Sequence, residues 1–533
     1  TVKSSGLARC INSAYSAKVQ DPSEPAAVTS SHVAKGVGTT LLSRMGAVIE
    51  IVSQPLYVLL FGLAGYGLYA LLWAAVNLIE NIFDLGMTSA MQRTVPQATD
   101  DRAAADCLRA ALLLGVVPCI IVAALVSLFA QPLATWINVA TADRALVAPA
   151  IRLFVWALPL WAFVEIATSA LRARHLFGPE IRLRIVWEQI IRLVLALLFY
   201  AMGWGLFGLF IAHMCSLTLT ALLSLRLVAR HYRLSLLLEG AIFTDAFRQT
   251  MWAGLSILPS NMIARLFGDA PAVLLNLIIP GADGARASAL FTISRKISSV
   301  VQLVRIAFVY VLAPLASSAE RAERSHVQAI YAYAVRLILV IALPLSAVLA
   351  AGSKPLLKLF SNDALVAQQA LIILLVARAA EAVLGISLPV LQVVAGFRHQ
   401  LTASMAGLVV AALFAWPLMQ IMGPLSGITL ASAIGFILAA AIPMVQLQMI
   451  ENLTPFGPSL ARAALRTIGI SLIALFVTLG IARAPDAVAL PLTLGVALGA
   501  IWLSARLSLP LADRQSLGKT ARKLRLIPAE NPV

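Results

Sequence analysis

The chain has 533 residues, of which 60% are hydrophobic and only 12% charged, with a formal net charge of +16. Its mean hydropathy is +0.91. Soluble domains carry about 25% charged residues, so this composition excludes a soluble fold and is typical of a membrane protein. Lys and Arg collect in the cytoplasmic loops of such proteins. Because no aromatic-rich basic patch accompanies the charge, we expect no nucleic acid partner.

The first 35 residues differ from the rest of the chain. They are polar, carry scattered Lys and Arg, and contain no apolar core. This pattern fits neither a signal peptide nor a membrane span. We predict a disordered cytoplasmic tail over 1–35.

Apolar stretches long enough to cross about 30 Å of hydrocarbon recur along the remaining chain. They predict an all-α polytopic membrane protein with about fourteen transmembrane helices. The predicted spans are 37–61, 67–90, 107–130, 148–171, 185–203, 205–225, 249–278, 287–316, 328–351, 365–395, 401–419, 424–448, 464–482 and 487–506.

The loop charges predict the orientation of these spans. Most loop and tail bases fall in the even-numbered loops and at the two ends of the chain, with clusters at 172–184, 226–233 and 519–525. By the positive-inside rule, we predict that both termini of this multi-pass protein are cytoplasmic. The few bases in the odd-numbered loops are Arg144, Arg286, Lys354, Lys358 and Arg483.

The spans group into two predicted six-helix lobes followed by two C-terminal helices. A Gly-rich turn follows span 1, and another follows span 7, six spans later. Paired lobes with a site between them are a recurrent transporter plan. The predicted units are an N-lobe at 36–225, a cytoplasmic interfacial linker at 226–248, a C-lobe at 249–450, spans 13–14 at 451–507 and a basic cytoplasmic tail at 508–533.

Two short motifs and the layout of spans resemble a known family. Tyr66-Gly67-Leu68-Tyr69-Ala70 is similar to a Y-G-x-Y turn after span 1, and Asp84-Leu85-Gly86-Met87 is similar to a D-L-G near the end of span 2. Pro259 and Asp269 in span 7 resemble the start of a second lobe. The chain thus resembles the polysaccharide flippases of the multidrug, oligosaccharidyl-lipid and polysaccharide exporter superfamily. It departs from their pattern at Ala285-Arg286, where a Gly-x-Tyr is common.

The resemblance implies a transporter of the bacterial inner membrane that moves a polyprenyl-diphosphate-linked oligosaccharide from the cytoplasmic to the outer leaflet. A coupling proton or sodium ion, membrane lipids, a polysaccharide polymerase and a chain-length regulator are the partners it implies. It implies no cofactor.

Ionisable residues inside spans usually face a cavity or a partner, because each costs at least about 2.5–3.5 kcal/mol in hydrocarbon. Acids outnumber bases in the first predicted lobe, and bases outnumber acids in the second. A basic lobe suits an anionic diphosphate, and an acidic lobe suits a coupling cation. Helical spacing also favours local ion pairs, which would be structural. These pairs are Glu188 with Arg192, Arg265 with Asp269, and Arg378 with Glu381.

Candidate site residues follow from this division. Asn77, Glu80, Asn81 and Asp84 share one face of span 2, which we expect to line a cavity or to bond neighbouring helices. The ion-coupling candidates are Glu50, Glu80, Asp84 and Asp269. The diphosphate and sugar candidates are Arg44, Arg265, Arg295, Arg305, Arg336 and Arg378, with Arg295 first and Arg44 and Arg305 next. Span 8 bases near either end could instead reach lipid phosphates.

Three other functions stay open at this point. A multidrug exporter and a lipid II flippase belong to the same superfamily. A membrane glycosyltransferase, polymerase or ligase belongs to another class, but such enzymes usually need a large outer loop. The sequence has neither that loop nor a metal-ligand cluster or Gly-rich phosphate loop. We therefore expect a transporter without catalytic residues or a metal site.

Overall fold

The computed structural model describes residues 45–174, 176, 183, 187–239, 241, 243–319, 324–394, 397–517 and 519–527. The predicted tail 1–35 and the candidate Arg44 lie outside these residues. Across the described part of the chain the regular structure is helical, as predicted.

The helices up to His231 are called the first half here, and those from Asp245 to Glu451 the second half. The first half contains α1 (Met45–Phe83), α2 (Met87–Thr94), α3 (Asp101–Leu128), α4 (Ala130–Trp136), α5 (Arg144–Phe154), α6 (Ala157–Ala173), α7 (Glu188–Ala201) and α8 (Gly205–His231). A short helix, α9 (Leu234–Leu238), links the two halves.

The second half and the C-terminal helices continue the same architecture. The second half contains α10 (Asp245–Ile278), α11 (Ala282–Ala319), α12 (Arg324–Ala351), α13 (Ser353–Lys358), α14 (Gln368–Leu384), α15 (Ser387–Val394), α16 (Phe397–Met422) and α17 (Pro424–Glu451). The C-terminal helices are α18 (Pro458–Ile481), α19 (Asp486–Ser508), α20 (Leu511–Gln515) and α21 (Lys519–Lys523), and 3₁₀ turns occur at Val95–Gln97, Thr141–Asp143 and Asn362–Ala367.

Among the described residues, ten helices are long and apolar enough to cross a membrane. One of them, Val52–Phe83, covers parts of both arms of α1, so it corresponds to two predicted spans. Helices α7, α10 and α11 coincide with three further predicted spans that these criteria do not select. All the predicted spans therefore correspond to helical segments. The count of fourteen crossings itself stays a prediction.

The first predicted hairpin folds back at Gly62. This residue has φ 74° and ψ 161° inside α1, a conformation that glycine adopts readily. The rings of Tyr57 and Tyr69 lie 6.3 Å apart. Twelve residues of straight helix would separate them by about 18 Å, so the two arms must run side by side. The predicted break between spans 1 and 2, at 62–66, contains this turn, whereas most of the Tyr66–Ala70 motif belongs to the second arm.

Helix ends carry recognisable signals. Asp100 and Thr244 cap α3 and α10 by accepting hydrogen bonds from the backbone N–H of Ala103 and Phe247. Gly86, with φ 74°, precedes α2, and Pro424 begins α17 at a position where its missing N–H is harmless.

The loops cluster as the predicted topology requires. Asn138 of the α4–α5 loop contacts Asn276 at the end of α10, and Gly67 of the first hairpin packs on Ala285. All of these belong to the end predicted to face outward, here called the outer end. At the opposite, inner end, Arg174 donates to the carbonyl oxygen of His231 at 2.7 Å. The alternation of loops is therefore consistent between sequence and structure.

The linker between the halves is bound to the first half. Arg109 of α3 donates to the carbonyl oxygen of Glu239 at 2.6 Å and also to that of Ala241. Because α8 extends to His231 and α10 begins at Asp245, the non-helical part is shorter than the predicted linker 226–248.

Candidate functional site

Close backbone contacts join the two halves at both ends. At the outer end, a Cβ on Gly67 would overlap the carbonyl oxygen of Ala285. At the inner end, a Cβ on Gly254 would overlap Met87 and the backbone of Leu85. Small residues allow helices to approach this closely in membranes. The Asp84-Leu85-Gly86-Met87 motif therefore forms part of the inner junction.

Side-chain hydrogen bonds reinforce both junctions. At the outer end, the backbone N–H of Asn138 donates to Oδ1 of Asn276 at 3.0 Å, and Nδ2 of Asn276 donates to the carbonyl oxygen of Asn138 at 2.7 Å. Nδ2 of Asn138 also donates to the carbonyl oxygen of Asn276 at 2.8 Å. At the inner end, Nδ2 of Asn261 lies 3.2 Å from Oγ of Ser89. These contacts join neutral groups, so they can separate without exposing an unpaired charge.

The polar face of span 2 points into the protein. Asn77, Glu80 and Asp84 are 5%, 3% and 3% exposed. This burial rules out a lipid-facing stripe and fits the sequence interpretation. Asp84 lies just after the end of α1, and its Oδ2 accepts a hydrogen bond from the backbone N–H of Thr88 at 3.2 Å.

Asp84 is a buried carboxylate without a cationic partner among the described residues. Its Oδ1 has no hydrogen-bond donor there, and Glu165 of α6 acts on it electrostatically as a like charge. Glu165 is itself buried. A carboxylate in such a place costs free energy unless it binds a proton or a cation.

The local ion pair predicted in the first half is confirmed. Arg192 of α7 donates to Glu188, one helical turn earlier, and both side chains are buried. The pair neutralises itself within one helix, which supports its structural interpretation.

The predicted pair of Arg265 with Asp269 is wrong. Asp269 binds Arg295 of the neighbouring helix α11, with Nη1 and Oδ1 2.9 Å apart. An Arg four residues before an Asp has the less favourable order along a helix, so a well-placed partner from another helix prevails. Arg265 is half-buried and has no ion-pair partner within the described part of the chain.

Two arginines share one carboxylate in the second half. Arg378 and Glu381 of α14 form the predicted pair at 2.5 Å, and Arg305 of α11 binds the other oxygen of Glu381 at 3.1 Å. The guanidinium of Arg378 also lies over the ring of Phe436, 4.2 Å from its centroid. This arginine triad (Arg305, Arg378 and Glu381) therefore has one positive charge in excess.

The remaining candidates are placed differently. Arg336 of α12 binds Asp513 of the C-terminal segment through two bonds of 2.6 and 3.0 Å. Its guanidinium is thus paired within the protein, and its role as a substrate ligand stays a prediction. Glu50 lies in α1, but its side chain is outside the described residues.

A model of the polysaccharide biosynthesis protein family matches residues 33–320, more than half of the chain. The chain belongs to this family. The search of curated proteins found no match to this chain.

Solved transporter structures share the fold of this chain. The lipid II flippase MurJ in an inward closed conformation matches with a TM-score of 0.69 and 11% identity, over 88% of this chain and 97% of its own. A superfamily transporter from Pyrococcus furiosus matches with a TM-score of 0.59 and 16% identity, over 79% and 96%. The Vibrio cholerae MATE transporter VcmN in its bent form matches with a TM-score of 0.56 and 14% identity, over 79% and 97%.

Sequence reasoning missed several residues of this polysaccharide biosynthesis protein. Nothing in the sequence indicated that Glu165 acts electrostatically on Asp84. Phe436, which stacks on Arg378, and the Asn138–Asn276 contact carried no signal at helical spacing. Each depends on which helices are neighbours, and a single sequence does not show this.

Proposed function

We propose that this polysaccharide biosynthesis protein is a flippase. It moves a polyprenyl-diphosphate-linked oligosaccharide from the cytoplasmic to the outer leaflet, and alternating access of its two halves is coupled to a proton or a sodium ion. The arginine triad is the observation that carries this proposal.

The triad has the charge that a diphosphate needs. An anion without a partner is very costly in a medium of low polarity, so its route must offer fixed positive charge. Arginine stays protonated, and its planar fork matches phosphate oxygens. Because Glu381 neutralises only one of Arg305 and Arg378, the triad can accept an anion without first losing an ion pair.

The triad is also accessible in part. The side chain of Arg305 is 17% exposed, whereas that of Arg378 is 6% exposed. The buried Nε atoms of both arginines have no hydrogen-bond partner among the described residues. Arg305 therefore offers the first contact, and Arg378 is held in place by Phe436 and Glu381.

The other bases rank below the triad. Arg265 is half-buried without an ion-pair partner in the described chain, so it is a second phosphate ligand. Asp269 neutralises Arg295, so Arg295 no longer ranks first among the candidate phosphate ligands and has a supporting role. Arg44 stays a candidate on sequence grounds.

Asp84 is the proposed coupling residue. It is buried, lacks a cationic partner among the described residues, and lies at the inner junction where α1 meets α10. Binding of a proton or a sodium ion would remove its negative charge and so change the free energy of that junction. Glu80 lies one turn away, and Glu50 stays a candidate from the sequence. Asp269 is occupied by Arg295.

Substitutions at Arg305 test the flippase proposal. In cells that lack their own flippase, Arg305→Ala should reduce polysaccharide export more than tenfold at normal protein level, since a charged hydrogen-bond pair contributes about 1.5–3 kcal/mol. Arg305→Lys should restore part of it. Arg286→Ala is the matched control, because Arg286 begins the same helix in an exposed pair with Asp283.

Normal export by Arg305→Ala, Arg265→Ala and Arg378→Ala would contradict the cationic route and favour a multidrug exporter. If the protein binds the diphosphate but prefers a different repeat unit, lipid II is favoured as the substrate instead. Replacing sodium by potassium, and adding a protonophore in a separate arm, identifies the coupling ion.

A further inference from the structure

The C-terminal segment from Leu509 to Ile527 folds back onto the second half. Leu509, Ala521 and Leu526 are 2%, 0% and 3% exposed. Asp513 of α20 receives the two hydrogen bonds from Arg336 of α12. This segment was predicted only as a basic tail, and its apolar side chains instead fix it in one place.

A tight turn gives the segment two faces. Arg525 has φ 52°, a left-handed conformation that ends α21. The N–H of Leu526 then donates to the carbonyl oxygen of Ala521 at 2.9 Å. Indole Nε1 of Trp502 in α19 donates to the carbonyl oxygen of Leu524 at 2.8 Å. The turn thus buries Leu526 and leaves the intervening side chains on the surface.

The exposed face is basic. Arg522, Lys523 and Arg525 are exposed, as is Arg506, whose guanidinium lies over the ring of Trp502 at 5.1 Å. Between 514 and 529 the sequence contains no acid. Leu524, between these bases, is 50% exposed. We call Arg506, Arg522, Lys523 and Arg525 the C-terminal basic face.

The location of this face selects its ligand. The segment begins within three residues of the end of α19, a helix able to cross the membrane. It therefore lies at the membrane–water interface, where Lys and Arg meet lipid phosphates and an exposed Leu can enter the acyl boundary.

We propose that the C-terminal basic face binds the headgroups of anionic phospholipids in the adjacent leaflet. Since Arg336 and Asp513 tie the segment to α12, this binding stabilises the second half. The site is separate from the arginine triad, and its occupant is a membrane lipid that is not transported.

Thermal unfolding of the full chain in neutral detergent tests this proposal. Phosphatidylglycerol should raise the Tm more than phosphatidylcholine with the same acyl chains, and inorganic phosphate should not raise it. Removing each charge should weaken the apparent affinity for phosphatidylglycerol roughly fivefold. The test variant is R522Q/K523Q/R525G, in which Gly keeps the left-handed turn at position 525.

Control and replacement variants make the test decisive. R226Q/R230Q/R233Q removes three exposed bases from the inner end of the first half and should keep the lipid response. R522K/R525K keeps the charge and should also keep the lipid response. If the test variant R522Q/K523Q/R525G does not fold, Lys523→Glu replaces it. The proposal is overturned if the test variant responds like the unmodified chain, if the first-half control loses as much, or if inorganic phosphate acts equally.

Discussion

The two halves of the protein bury charge in different ways. The first half keeps a carboxylate, Asp84, without a cationic partner among the described residues. The second half keeps two guanidiniums on one carboxylate in the arginine triad. Buried charges are retained against a free-energy cost, so both exceptions point to function. This comparison is the basis for proposing cation coupling in the first half and anion binding in the second half.

The sequence predicted that the two halves differ in the sign of their excess charge, but it overestimated the size of that excess. Arg192, Arg295 and Arg336 each contact a carboxylate, so only a few charges remain in excess. A count of ionisable residues along the sequence includes these structural pairs. What matters for binding is the charge left after pairing.

The largest effect is expected from Glu381→Ala. It leaves Arg305 and Arg378 buried without their shared carboxylate, which should cost about 3–5 kcal/mol of stability. We expect a large drop in Tm or a loss of expression. Asp283→Ala, which removes one partner of an exposed pair, should cost less than about 1 kcal/mol. Equal Tm values for the two variants would show that the triad is not a stabilising unit.

Asp84→Asn should change transport more than stability. The amide keeps the shape of the side chain but cannot release a proton or hold a cation. If Asp84 couples an ion to the movement of the halves, export should fall about 5–150-fold, which is the factor that corresponds to typical coupling free energies. Asp363→Asn, at an exposed loop position, is the control. A lower Tm with normal export would make Asp84 a structural residue.

The structure shows which parts of the site a single sequence can predict. Both residues of the Glu188–Arg192 pair lie in α7, and both residues of the Arg378–Glu381 pair lie in α14. Helical spacing was therefore enough to find these pairs. The pairs Arg295–Asp269 and Arg305–Glu381 join different helices. Their formation depends on the register between neighbouring helices, and hydropathy carries no information on register. Most of the spans were predictable because ten helices of the described chain are long and apolar enough to be recognised by that property.

Asn276→Ala tests whether the halves separate at the outer junction. The substitution removes two of the hydrogen bonds to Asn138, each worth about 0.5–1.5 kcal/mol. In a background without reactive cysteines, a cysteine at Ala285, now 1% exposed, should be labelled faster from the outer side. Asn261→Ala removes the contact with Ser89 at the inner junction and should not accelerate this labelling. Unchanged labelling in both variants would mean that the outer junction does not open there.

The smallest effect is expected from exchanging the partners of the buried pair in α7. The double variant E188R/R192E keeps one positive and one negative charge at helical spacing, although the reversed order is slightly less favourable. Export should stay within about twofold of the unmodified chain, because a pair that neutralises itself offers no charge to substrate or ion. The single change Glu188→Gln should lower the Tm, since it leaves Arg192 buried without its carboxylate. A double variant that folds but does not export would place this pair on the transport route and would contradict its structural interpretation.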